Sequence, residues 1–304
     1  MFGNLPKGIV SVVQTPFATD GSVDSASVGR LISAAIDDGV HGFLGPVVAS
    51  EVAFLSRQER EQLIHSVAEA IEECVPFIVG ASSDAPEDCQ HFARLAKRVK
   101  AAAFLVAVPP GLYRQPEKVP GFFQSVTEES DLPLVIQDLE WNGPGLPLSM
   151  LARLKELMPN LGGIKIETVP AGPKYTEVQR EFGKDLFIAG GWAITQMIEA
   201  LDRGVDALMP ESSMIPVYSQ IYRAYMNGDR PKALALFRRL LPVLTFTNQE
   251  IGLSIAFFKR LLVRKGLFTT AVMRQPWAGW DEFSLRIADE LIELVLQLEK
   301  ERVT

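Results

Sequence analysis

The stretch Leu161-Gly162-Gly163-Ile164-Lys165-Ile166-Glu167-Thr168 sets a primary amine inside a short apolar run of the kind that ends a buried strand. Taking an ammonium out of water is costly and favours the neutral amine, the form that attacks carbonyl carbon. Schiff-base chemistry is the reaction this residue could carry. The same run admits a second reading, a lysine whose charge snorkels from a strand end to water. Glu211, in Met209-Pro210-Glu211, is an acidic group that could pair with the lysine or act as a base, or stand in an exposed loop. Histidine and cysteine offer no competing chemistry. His41 opens a strand and His65 and His91 fall on helices, while Cys74 and Cys89 lack metal-ligand spacing and read as buried or idle thiols.

Apolar periodicity supplies the frame that must hold these groups. Short apolar runs at residues 9–13, 42–48, 76–80, 103–108, 134–137, 163–166, 186–189 and 207–209 alternate with longer amphipathic segments. Several segments carry start signals: Asp24 before 25–38, Ser56 before 57–73 with Glu59 in the capping-box position, and Pro86 opening 87–99. Strand then helix, repeated eight times, predicts an α/β fold closed into a (β/α)8 TIM barrel whose active site lies at the carboxyl ends of the strands. Lys165 falls near the end of the sixth run, on that rim, which favours the nucleophile over the snorkel. Beyond Met209 the pattern is helical only, at 217–227, 231–244, 252–265 and 281–302. The expected organisation is a barrel over 1–225 and a C-terminal helical extension over 226–304, the latter serving assembly rather than chemistry.

Composition bounds the partners. With 304 residues and a net charge of -7, Lys and Arg interspersed with Asp and Glu, the chain has no basic stripe for a phosphate backbone, so nucleic acid is not expected. No apolar stretch approaches the roughly 20 residues of a membrane span, and residues 1–8 have no signal-peptide core, so a cytoplasmic location is expected.

Four stretches together resemble a known family: Gly8-Ile9-Val10 through Thr15-Pro16-Phe17 and Asp20-Gly21-Ser22-Val23-Asp24; Ser50-Glu51 with Leu55-Ser56 and Glu59-Arg60; Asp131-Leu132-Pro133-Leu134-Val135-Ile136; and Gly163-Ile164-Lys165. Over nearly its whole length the chain is similar to the dihydrodipicolinate synthase and N-acetylneuraminate lyase family of class I aldolases. The resemblance implies that Lys165 condenses with the ketone of pyruvate or a related 2-oxo acid, with the iminium as electron sink. It implies no metal or organic cofactor. It also implies at least a homodimer, commonly a homotetramer of paired barrels.

The chain departs from the family at the site. The family's glycine-threonine-threonine-glycine-glutamate loop aligns with Val47-Val48-Ala49-Ser50-Glu51, so both threonine hydroxyls are missing and only the amides of Val48 and Ala49 remain to hold a carboxylate. The family's catalytic tyrosine is replaced by Gln137. A carboxamide cannot relay a proton as a phenol does, which leaves Asp138, Glu140, Glu211 or a water. Where the synthase has an arginine for its partner aldehyde, this chain has Trp141-Asn142-Gly143. Tyr113 corresponds to the tyrosine lent across the dimer boundary. Ala189-Gly190-Gly191-Trp192 matches the glycine turn after strand seven, and Gly190 and Met209 join the expected substrate contacts. The reading is a dihydrodipicolinate synthase-like Schiff-base lyase, aldolase or dehydratase in type, that is not a true synthase. Its rival is a non-catalytic 2-oxo-acid-binding or interaction protein on the same barrel.

Overall fold

A computed structural model describes residues 4–191 and 194–301. Eight strands, β1 (Gly8–Val12), β2 (Gly42–Gly45), β3 (Phe77–Gly80), β4 (Ala103–Ala107), β5 (Leu134–Leu139), β6 (Leu161–Glu167), β7 (Phe187–Gly190) and β8 (Ala207–Leu208), close in chain order into a barrel. Every pairing is parallel, including β8 back onto β1. The helices between and after them are α1 (Ser25–Asp37), α2 (Arg57–Ile71), α3 (Pro86–Arg98), α4 (Val119–Thr127), α5 (Leu148–Leu157), α6 (Ala171–Phe182), α7 (Met197–Asp202) and α8 (Ile215–Met226). Three more, α9 (Arg230–Thr247), α10 (Ile251–Arg264) and α11 (Glu282–Lys300), follow the barrel.

Strand alternation divides the apolar residues into two cores. Val10, Val12, Leu44, Ile78, Leu105, Val135 and Ala189 fill the barrel interior, while Ile9, Phe43, Val79, Phe104 and Ile136 point outward against the helices. Burial of each large aliphatic or aromatic side chain contributes on the order of 1.5–3 kcal/mol. The helix starts form as the sequence predicts: Asp24 accepts from the Ser27 amide, and Ser56 and Glu59 cap each other's backbone.

Two strands outrun their apolar stretches. β5 continues past Gln137 through Asp138 and Leu139, in register with Ile166 and Glu167 of β6. Continuing the ladder buries polar side chains that an apolar-run criterion leaves in loops.

The helical extension is tied to the barrel mouth. Lys259 of α10 forms a fully buried ion pair with Glu51, donates to the Val272 carbonyl at 2.9 Å, and lies 4.3 Å from the centre of the Phe17 ring. Glu51 also accepts from the amides of Arg274 (2.5 Å) and Gln275 (2.7 Å), and Arg274 in turn pairs with Glu59. The α9–α10 turn and the first turns of α10 form one wall of the cavity over the barrel, so the extension contributes to the site as well.

Candidate active site

Consecutive inward positions of a strand lie two residues apart, and on β6 this puts Lys165 and Glu167 on one face. Both are buried, 3% and 7% exposed, and Lys165 Nζ lies 3.2 Å from Glu167 Oε1. From β5, directly paired with Lys165, Gln137 donates through Nε2 to Glu167 Oε2. Gly191, just past β7, makes room for this group, since a Cβ there would stand 2.7 Å from Lys165 Cε and closer still to the Glu167 carboxylate. The three side chains floor a cavity of about 470 Å³ at the carboxyl ends of the strands.

The walls are mixed. Val48, Ala49, Met209, Leu139, Trp141, Ile255 and Phe258 supply the cavity's apolar surface. Asn142, Asn248, Gln249 and Ser254 add neutral hydrogen-bonding groups. Lys165 is the one cationic side chain among the described lining residues, against the acids Glu167, Glu211 and Glu250.

Around this floor, buried polar contacts fix the backbone. Ser50 Oγ accepts from the Val47 amide at 3.0 Å and donates to the Val13 carbonyl, and Thr15 Oγ1 donates to the Ser50 carbonyl at 2.6 Å. The turn at Val48–Ser50 is thereby pinned to β1's extension, and as its first two residues Val48 and Ala49 have no partner for their amides within the turn.

Glu211 is not an exposed loop carboxylate. It is 5% exposed, lines the cavity, and accepts from the amides of Ser213 (2.5 Å) and Met214 (3.2 Å). Burial pushes its pKa from 4.5 up to about 7, against the opposing hydrogen bonds from Ser213 and the charge of Lys265. A carboxyl raised in this way contributes its full stability below its unfolded pKa, loses that contribution as pH climbs through its folded pKa, and changes nothing above. Relative to Glu211→Gln, the parent is expected to lose about 3 kcal/mol of stability between about pH 4 and about pH 8, read by urea denaturation at the two pH values. A pH-independent difference would contradict the buried assignment.

Comparison with known proteins identifies the frame. The sequence profile of the Dihydrodipicolinate synthetase family matches residues 5–293. The chain belongs to this family. Among curated relatives, it is 29% identical over 278 residues to the L-2-keto-3-deoxyarabonate dehydratase of Azospirillum brasilense, covering 89% of this chain and 88% of that protein. It is 28% identical over 245 residues to the 4-hydroxy-tetrahydrodipicolinate synthase of Bartonella bacilliformis, covering 78% and 81%. Two crystal structures share the fold: the dihydrodipicolinate synthase of Rhodopseudomonas palustris (TM-score 0.85, 23% identity, 95% of this chain and 97% of that one), and the Escherichia coli K12 prophage protein YagE in complex with pyruvate (TM-score 0.84, 20% identity, 96% and 98%). Membership in the dihydrodipicolinate synthetase family makes the protein a lyase of the class I aldolase type and disfavours the binding-protein alternative.

Of the residues that the family resemblance singles out, Lys165, Gln137, Val48, Ala49, Met209 and Glu211 line one cavity. Tyr113 and Gly190 do not. The Tyr113 hydroxyl donates to Asp138 Oδ1 of its own chain at 2.9 Å, and burial with that carboxylate raises its pKa. Gly190 faces outward, where a Cβ would stand 2.8 Å from the Tyr175 hydroxyl; alternation gives the inward position to Gly191. Trp192 lies outside the described residues. Asp138, on the outer face of β5, is fully buried and not a solvated loop residue. Lys174 of α6, the Leu146 amide (3.0 Å) and Tyr113 occupy it. Glu140 caps the Gly145 amide at 2.8 Å. Neither acid lines the cavity, whereas Glu167, which the departures from the family pattern do not bring out, does. Its signal was its spacing of two from the lysine on one strand.

Proposed function

We propose that the protein dehydrates a 3-deoxy-2-oxo acid with an uncharged, hydroxylated tail through an imine at Lys165. The observation that carries this reading is the buried Lys165 amine, 3.2 Å from Glu167, on the floor of a cavity with no other cationic group among its described lining residues. The amine adds to the C2 carbonyl, the carbinolamine loses water, and the iminium withdraws electrons from C3 so that a hydroxyl on C4 can leave. The amides of Val48 and Ala49 hold the carboxylate on C1. The remainder of the substrate meets Trp141, Phe258 and Ile255 with Asn142, Asn248 and Gln249, a surface suited to hydroxyls and hydrocarbon and adverse to a second carboxylate beside Glu211 and Glu250. The dehydratase relative from Azospirillum brasilense supports the choice of dehydration over carbon-carbon cleavage.

A substrate panel tests this reading. Turnover is expected with 3-deoxy-2-oxo sugar acids carrying neutral tails, monitored by loss of substrate and mass of product. Condensation of pyruvate with aspartate semialdehyde is expected to be negligible, because Trp141-Asn142-Gly143 stands where the synthase has its arginine and no cation in the described lining replaces it. Synthase turnover at roughly 1 to 10³ per second would overturn the assignment. An aldehyde plus pyruvate in place of an unsaturated 2-oxo acid would turn it to aldol cleavage.

The protein is taken to be cytoplasmic and to assemble as a homodimer or homotetramer. Apolar side chains left exposed on α11 (Phe283, Ile287) and α9 (Leu241) support assembly. A monomer-sized species in light scattering at micromolar concentration would contradict it. No helix among the described residues is long and apolar enough to cross a membrane.

A further inference from the structure

We propose that Glu167 is the proton carrier of this reaction, in the place of the family's tyrosine, with Gln137 as the residue that positions it. The inference rests on the Schiff-base reading of Lys165 and goes beyond it by assigning the group that moves the proton. Among the described lining residues there is no tyrosine. Tyr113 is held by Asp138, and Tyr175 lies behind β6 with its hydroxyl 3.4 Å from the Ile166 carbonyl. Glu211 has both carboxylate oxygens engaged by the amides of its own turn. Glu167 is differently placed. One oxygen meets the amine that becomes the imine nitrogen, and the other accepts from Gln137, which fixes the rotation of the carboxylate.

The distances suit the chemistry. C3 of a bound 2-oxo acid is two bonds from Nζ, about 2.5 Å for ordinary bond lengths. A carboxylate oxygen within hydrogen-bond reach of Nζ is therefore within reach of a proton on C3. In the iminium, the Glu167 carboxylate takes that proton, and the C–H electrons form the C2=C3 bond of the enamine while nitrogen becomes neutral. The Glu167 carboxyl then gives the proton to the C4 hydroxyl. The C4–O bond breaks, water leaves, and the nitrogen lone pair restores the iminium with a double bond between C3 and C4. Hydrolysis frees Lys165. One water is lost overall, no oxidant enters, and Glu167 ends ionised as it began.

Several described elements face this carboxylate. Lys165 stands on its own strand, β5 offers uncharged Gln137, the β7 end offers Gly191, Tyr175 approaches from α6, and Glu211 lies in the same cavity past β8. Burial keeps Tyr175 protonated well above its ordinary range, with the charge of Glu167 acting in the same direction.

Pyruvate is a sufficient probe, because on the enzyme its methyl protons exchange with solvent deuterium through the enamine, above the slow enolisation measured without protein. Exchange is followed by NMR and imine formation by borohydride trapping, in the parent, Glu167→Gln and Glu167→Asp. Glu167→Gln is expected to retain the trapped adduct while exchange falls about 10²- to 10⁴-fold. Glu167→Asp is expected to recover part of the rate. Exchange at the parental rate in Glu167→Gln with the adduct intact would overturn the proposal. So would loss of the adduct in that variant, which would tie Glu167 to imine formation. Absence of the adduct in the parent would instead defeat the Schiff-base reading beneath it.

Discussion

Lys165→Ala is expected to lower kcat/KM by at least about 10⁴-fold while leaving the fold in place. The methyl group cannot form the covalent intermediate, and no other amine among the described residues lines the cavity. Removing Lys165 leaves Glu167 buried without its cation, at a cost of up to about 3–5 kcal/mol, eased by the hydrogen bond from Gln137 and by the cavity that the pair lines. Circular dichroism and thermal unfolding separate the two effects. An unfolded variant would make the lysine structural, and residual turnover within about tenfold of the parent would place the chemistry elsewhere.

The second large effect is on stability. Lys259→Met is expected to cost about 3–5 kcal/mol, because it leaves Glu51 buried without its cation. Glu51 is 1% exposed and would keep only the amides of Arg274 and Gln275. Burial pulls the Lys259 pKa from 10.5 down to about 8 against the charge of Glu51, so the amine is near the limit of what that site tolerates as a cation. Activity should fall as well, since Glu51 adjoins the Val48–Ser50 turn of the cavity. A loss below about 1 kcal/mol in urea denaturation would show that the pair is dispensable.

The barrel was legible because its strands are apolar on both faces. A parallel sheet wrapped by helices buries inward and outward side chains alike, so each strand reads as a short continuous hydrophobic run. The run criterion fails where a strand ends in polar residues. β5 and β6 continue beyond their runs through Asp138 and Glu167, and Glu167 belongs to the site. Lys165 stood out because an amine in an apolar run has few explanations. Glu167 was overshadowed by it, although a strand period of two puts both on the same face. Glu211 read more readily as an exposed loop carboxylate, since its burial depends on chain brought over it from elsewhere. The pairing of Glu51 with Lys259 was beyond local pattern for the same reason: partners so distant in sequence meet only once α10 docks on the barrel mouth.

Borohydride reduction in the presence of pyruvate, followed by mass spectrometry of the digested protein, tests the central claim most directly. The account predicts one added pyruvyl group, reduced and stable, on the peptide that contains Lys165, and its absence in Lys165→Ala. No adduct with pyruvate or any longer 2-oxo acid, or an adduct on a different lysine, would contradict it.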